Sequence, residues 1–220
     1  MTQFLGPAYG ERSLSDVLPA IRLALGDASV AAQTRLRFRA ADHYVVLLVD
    51  GLGHHLIAEH PKQAPFLHAL LDTQAPGTCG VPSTTATSLT SLGTGLATGQ
   101  HGMVGFTQRV PETGALLNSL FWDQPVDPLH WQSRPTAFEQ AQAAGIHTAV
   151  VSRHEFVDSG LTRSALRGAS YVGTGSVEER ISAAVSASAQ TPSLTFVYDG
   201  DLAHLRSSER QRANPLPHLR

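Results

Sequence analysis

The chain has 220 residues, 42% of them hydrophobic and 15% charged, which is enough for one sizeable core. Its 16 Lys and Arg against 18 Asp and Glu leave a formal charge of -2, so there is no basic footprint for nucleic acid. No stretch approaches the roughly 20 apolar residues of a membrane span, and the single cysteine, Cys79, excludes an intrachain disulfide.

Residues 1–21 include Arg12 and Asp16 and hold no long apolar run, so no signal peptide is expected and the cytoplasm is the expected compartment. Ser13 to Leu25 is predicted as a helix, with Ser13 and Asp16 spaced as a capping box, Gly26 as the stop, and Pro19 marking a kink or a later start. Tyr44 to Val49 is a continuous apolar run ending at Asp50 and Gly51, the pattern of a central parallel strand buried on both faces. A short helix is predicted over Ala64 to Leu71, then a turn or short strand over Gly77 to Val81.

Thr85 to Leu92 reads as a helix closed by Gly93 and Gly95, and Gly99 to Phe106 as turns. Residues 107–135 mix Pro, Gly and Asn with two tryptophans, which suggests loops and a hairpin. A helix over Thr136 to Ala144 stops at Gly145. A buried strand over His147 to Ser152, a helix over Val177 to Ala189 and a third strand over Leu194 to Tyr198 follow. Strands alternating with helices predict an α/β domain around a mainly parallel sheet. From Ala203 the texture changes to Arg, Ser and Pro without helix or strand pattern, which reads as a solvated tail.

Two places are suited to chemistry. Asp50 stands where a strand ends and Gly51 lets the chain turn, the edge at which ligands collect in open α/β sheets. It is placed there either to bind a metal or to cap the next helix, and the motif alone leaves both readings open. The segment from Pro82 to Gly95 is denser in hydroxyls than a helix needs. Hydroxyls at a helix start either cap it or surround a phosphate together with the free amides and the positive end of the dipole. A threonine alcohol needs acidification, for which a zinc ion would serve.

The runs VVLLVDGLG, APFL, VPSTTATSLTSLGTG and QHGMVGF follow one another in the order and approximate spacing of the type I phosphodiesterase/nucleotide pyrophosphatase family. The chain resembles that branch of the alkaline phosphatase superfamily over most of residues 8–202, and RVPETGALLNSLFWD and SGLTRSALRG look like its bacterial members. The resemblance implies an alkaline phosphatase-like α/β fold and hydrolysis of small-molecule phosphodiesters or pyrophosphates of nucleotide type. It also implies two metal ions, usually zinc, and a phospho-threonine intermediate. Carried over residue by residue, it makes Asp50 a metal ligand and Thr85 the nucleophile that also touches a metal, with Thr84 as the neighbouring alternative.

The family's Asp and His for the second metal stand four positions apart. Here the nearest matches are Asp201 and His204, three apart, and Asp199 with His204 is five apart. The family also carries an asparagine after its His-Gly pair. His101 and Gly102 have none behind them, and Asn118 in the next loop is the substitute amide. His101 itself reads as a turn residue, and Trp122 as an aromatic packed under a loop, with stacking on a leaving group as the alternative. The family's later metal motifs have no match after His204. The expected organisation is therefore residues 1–202 as the N-terminal part of a phosphodiesterase domain and residues 203–220 as a disordered tail left by truncation or frameshift. A non-catalytic remnant is the competing functional expectation. A sulfatase is disfavoured because Cys79 lacks the Cys-x-Pro-x-Arg context, and a Rossmann enzyme because residues 50–53 are not a Gly-x-Gly-x-x-Gly turn.

Overall fold

The computed structural model describes residues 5–30, 33–73 and 75–204. The expected tail falls mainly outside this range; its first two residues, Ala203 and His204, lie in a helical turn over 201–204. The chain divides into two compact units, one made of the residues up to Val46 with Gly77–Val197, the other of Leu47–Pro76 with the chain from Tyr198 on.

In the first unit, the Ser13–Asp16 box is present. The Ser13 N–H and Oγ both donate to Asp16 Oδ2 at 2.7 Å. A turn of 3-10 helix, Leu14–Asp16, leads into α1 (Val17–Ala24), and Gly26 ends it at φ +100°. Pro19 is thus in the first turn of the α-helix, where its missing N–H costs nothing, and no kink is needed. Helix α4 (Thr85–Thr94) packs against α8 (Gly160–Ala165) and the short α5 (Thr98–His101). A hairpin, β2 (Thr107–Arg109) with β3 (Leu116–Asn118), and α6 (Pro128–Trp131) occupy the segment expected to be loops.

The sheet has the order β1-β6-β4-β5, with β1 over His43–Val49, β4 over His147–Arg153, β5 over Ser170–Thr174 and β6 over Ser193–Asp199. Strand β4 pairs in parallel with β6, from His147 opposite Ser193 to Val151 opposite Val197, and with β5, from Ala149 opposite Ser170 to Arg153 opposite Thr174. Helices cover both faces. The ring of Phe138 on α7 (Ala137–Ala143) lies 6.3 Å from that of Phe196, while Ala184 on α9 (Val177–Ala187) clusters with Val151 and Val197. Adjacent residues of one strand point to opposite faces, so Phe196 and Val197 report the two layers. This is the expected α/β architecture with a parallel sheet flanked by helices.

One expectation about the sheet is corrected. Among the described residues β1 is an edge strand, and Val45 and Leu47 are 52% and 64% exposed. Its exposure alternates along the strand, so the apolar run is covered on one face only, and a continuous run of aliphatic residues does not by itself mark a central strand. Strand β5 and helix α8 were not anticipated from periodicity. Strand β5 is five residues long, largely solvent-facing and contains Gly173, so it carries no apolar alternation to recognise.

In the second unit, α2 (His54–Glu59) and α3 (Pro65–Leu70) contain no fully buried residue. The rings of His54 and His55 meet edge-on at 5.6 Å on α2. Among the described residues no helix is long and apolar enough to cross a membrane.

Candidate active site

Helix α4 begins where the sequence supplies hydroxyls. Thr84 is the N-cap in extended backbone, its Oγ accepting from the Thr87 N–H at 3.4 Å and donating to Thr87 Oγ at 3.0 Å. Thr85 is therefore the first helical residue and half-buried, in the turn whose amides have no intrahelical acceptor. The cap engages the Thr84 hydroxyl on both its donor and acceptor sides.

The remainder of α4 is held from behind. Gly95, at φ +70°, is its left-handed C-cap, but Gly93 is not a stop. It lies inside the helix at the crossing with α8, where a Cβ would fall 1.9 Å from the Ala165 carbonyl oxygen. His101 is not a surface turn residue. It is the last residue of α5 and 3% exposed. Its Nδ1 accepts from the Met103 N–H at 3.0 Å, so Nε2 carries the proton and donates to Ser91 Oγ of α4 at 2.8 Å. Burial lowers its pKa from 6.5 to about 4, which keeps the ring neutral.

Asp50, Asp201 and His204 belong to the second unit, Thr85 to the first. Strand β1 ends with the Asp50 N–H donating to the Asp199 carbonyl at 2.7 Å, and Gly51 turns the chain at φ +76°. A Cβ on Gly51 would sit 3.3 Å from the Cα of Ala203, so the glycine also admits the 201–204 turn at close range. The segments holding Asp50 and Asp201 are thus brought together. In the helical turn, Asp201 and His204 at i and i+3 share one face, which makes their three-residue spacing compatible with neighbouring side chains. The Asp201 N–H donates to Asp199 Oδ1 at 3.0 Å, and the His204 N–H to the Gly200 carbonyl at 3.1 Å.

Tyr198 is the functional candidate that sequence reasoning passed over. Its phenol donates to Asp50 Oδ2 at 2.9 Å. Burial, with the carboxylates of Asp50, Asp199 and Asp201 around it, pushes its pKa well above the ordinary range, so the group stays a donor. The available signal was its position, an aromatic with a polar tip at the end of a strand and directly before the Asp-Gly-Asp run.

These groups fit a divalent cation in part. A carboxylate with one oxygen held by a hydrogen-bond donor is how ligating carboxylates are oriented. Among the described residues, however, no three His, Cys, Asp or Glu side chains are grouped so as to hold a metal, so a complete zinc cage is not built from them. Asn118 uses its Oδ1 to accept from the Leu120 and Phe121 N–H groups at 3.0 and 3.3 Å, closing the turn after the hairpin. Trp122 packs over Gly160, where a Cβ would meet its ring at 2.1 Å, and its Nε1 donates to the Val126 carbonyl at 2.7 Å. It is the packed aromatic of the two readings.

A family model described as type I phosphodiesterase/nucleotide pyrophosphatase matches residues 44–208, from the second residue of β1 through the 201–204 turn. No curated protein matches the chain, and no solved structure matches it. The match spans both segments that end in Asp50 and Asp201 as well as the whole of α4, and on it the chain belongs to the type I phosphodiesterase/nucleotide pyrophosphatase family, a family of hydrolases.

Proposed function

We propose that the chain hydrolyses phosphodiester or pyrophosphate bonds of small, nucleotide-type substrates, with Thr85 as nucleophile and Asp50, Asp201 and His204 as metal ligands. The observation that carries this reading is the family match together with the place of Thr85 as the first residue of α4. Thr85 Oγ attacks phosphorus and gives its proton to solvent, while the P–O bond to one ester oxygen breaks and that oxygen leaves with the electron pair. The resulting phospho-threonine ester keeps the other substituent until water attacks the same phosphorus and returns the threonine alcohol. The N-terminal amides of α4 offer donors and the positive end of the dipole to the phosphoryl oxygens. Asp50, Asp201 and His204 would hold part of a divalent-cation site, zinc by the family resemblance, and such a cation would supply acidification of the alcohol and charge stabilisation. A cytoplasmic setting goes with this reading, on the lone thiol of Cys79.

Release of p-nitrophenolate from bis(p-nitrophenyl) phosphate tests the assignment. Thr85→Ala should lower kcat by about 10³-fold or more with an unchanged melting temperature. Thr84→Ala should retain turnover and instead lose about 1 kcal/mol of stability with the cap. Chelation should abolish the activity and Zn²⁺ should restore it. Unaltered turnover in Thr85→Ala would remove the nucleophile, and full activity in excess chelator would remove the metal.

A further inference from the structure

We infer that residues 102–119, the hairpin of β2 and β3 with the loop leading into it, form a strap fastened to α4 through His101, and that a proton on this ring releases the strap while α4 stays folded. The fastening is a chain of buried polar atoms. Ser91 of α4 accepts from His101 Nε2, and the other ring nitrogen accepts from the Met103 N–H. Gln108 donates from Nε2 to Met103 Sδ at 2.9 Å and to Ser119 Oγ at 2.7 Å, and its Oε1 accepts from the Val104 N–H at 3.0 Å. Ser119 Oγ then donates to the Gly105 carbonyl at 3.0 Å. Ser91, His101, Met103, Gln108 and Ser119 are all at most 6% exposed. Of the strap's apolar side chains, Met103, Val110 and Leu117 are buried, whereas Val104, Phe106 and Leu116 are exposed, so the polar chain carries much of the attachment. In that chain the His101 ring is the link to α4.

The link holds only while the ring is neutral. Nδ1 must accept from the Met103 N–H, and a protonated imidazole presents a donor there instead. Two N–H groups would then face each other, and a buried charge would stand without a counter-ion. Helices α4 and α5 and residues 102–108 contain no Asp, Glu, Lys or Arg. Around them, the Tyr9 phenol meets Thr98 Oγ of α5 at 3.3 Å, and Arg109 follows on the exposed side of β2. Asp16, buried where the 3-10 turn packs on α4, already takes the Ser13 N–H and Oγ. Burial alone lowers the ring's pKa to about 4, so the fastened strap is favoured fully above about pH 6.5 and loses that advantage as the pH falls toward about 4. Gly102, at φ +80° between His101 and Met103, gives the backbone a place to turn as the strap lifts. Helix α4 keeps its own ladder and its crossing with α8.

Amide hydrogen exchange of the full chain, read by NMR as protection factors at pH 7, 5 and 4, tests the latch. At every pH the Met103 and Val104 amides should be less protected than that of Thr90 inside α4, because the strap opens without the helix. Between pH 7 and pH 5 their opening should increase by about 20-fold, and by about 100-fold at pH 4. His101→Gln, which cannot take up the proton, should keep one level of opening across this range. Equal protection of Met103, Val104 and Thr90 at every pH would overturn the inference, since the strap would then open only with the whole unit. So would opening of Met103 and Val104 that does not change with pH in the parent chain, or that rises as steeply in His101→Gln. The parent chain alone decides the first two outcomes if His101→Gln does not fold.

Discussion

Helix α4 and the end of strand β1 each deliver a proposed reactive side chain, and they are embedded in opposite ways. From Ala86 to Thr94 every residue of α4 except Ser88 is buried. Its inward hydroxyls are all engaged: Thr90 donates to the Ala86 carbonyl at 2.8 Å, Thr94 to the Thr90 carbonyl at 2.6 Å, and Ser91 accepts from His101. Strand β1 buries none of its residues fully, and neither α2 nor α3 after it does. Asp50 accepts from the Tyr198 phenol, gives its N–H to the Asp199 carbonyl and is followed by the glycine turn at Gly51. The comparison teaches that the helix of the proposed nucleophile is held by a packed core, and the proposed ligand Asp50 by hydrogen bonds at an exposed strand end. Substitutions around the first should therefore act on stability, and those around the second on chemistry.

The largest stability effect should come at the crossing of α4 and α8. Gly93→Ala puts a methyl group into the Ala165 carbonyl, and either helix must shift. A loss of about 3 kcal/mol is expected in chemical denaturation, at the upper end for overpacking. A loss below about 0.5 kcal/mol would mean that the crossing is loose and the contrast between the two regions is not one of packing.

Next comes His101, which adds a pH dependence to the same region. Its pKa is about 4 in the folded chain and 6.5 ordinarily, so between these values the unfolded chain binds a proton that the folded chain does not. The neutral-ring stability is complete above about pH 6.5 and is lost as the pH falls toward about 4, by up to about 3 kcal/mol. Denaturation midpoints measured from pH 7 to 4 for the parent chain and for His101→Gln should converge as the pH falls. Parallel profiles would show that the ring contributes no proton linkage.

The smallest effect should be found in the second unit. Phe66 on α3 is 75% exposed, and Phe66→Ser should change stability by no more than about 0.5 kcal/mol in the same measurement. A loss of 2 kcal/mol or more, the order expected for a buried aromatic, would mean that this region has a core of its own in solution.

Much of this was legible along the chain. Local signals are strong where the backbone needs a particular residue. The Ser13–Asp16 box, the helix before Gly145 and the Asp50–Gly51 strand end all read correctly, because capping and left-handed turns are satisfied within a few residues. The order of motifs gave the family, and the family match agrees with it. What the sequence could not reveal depended on partners far along the chain. Val45 and Leu47 look like core residues, and only the strand order puts them at an edge. Gly93 looks like a helix stop, and only the approach of α8 makes it a contact. His101 looks like a turn residue until Ser91 and Met103 close on both its nitrogens, and Tyr198 reaches Asp50 across 148 residues of chain. Residue type and spacing encode what short-range hydrogen bonding and periodicity require. Burial, close approach and the hydrogen bonds that orient a carboxylate belong to pairs of segments, and they exist only once the sheet and its helices have assembled.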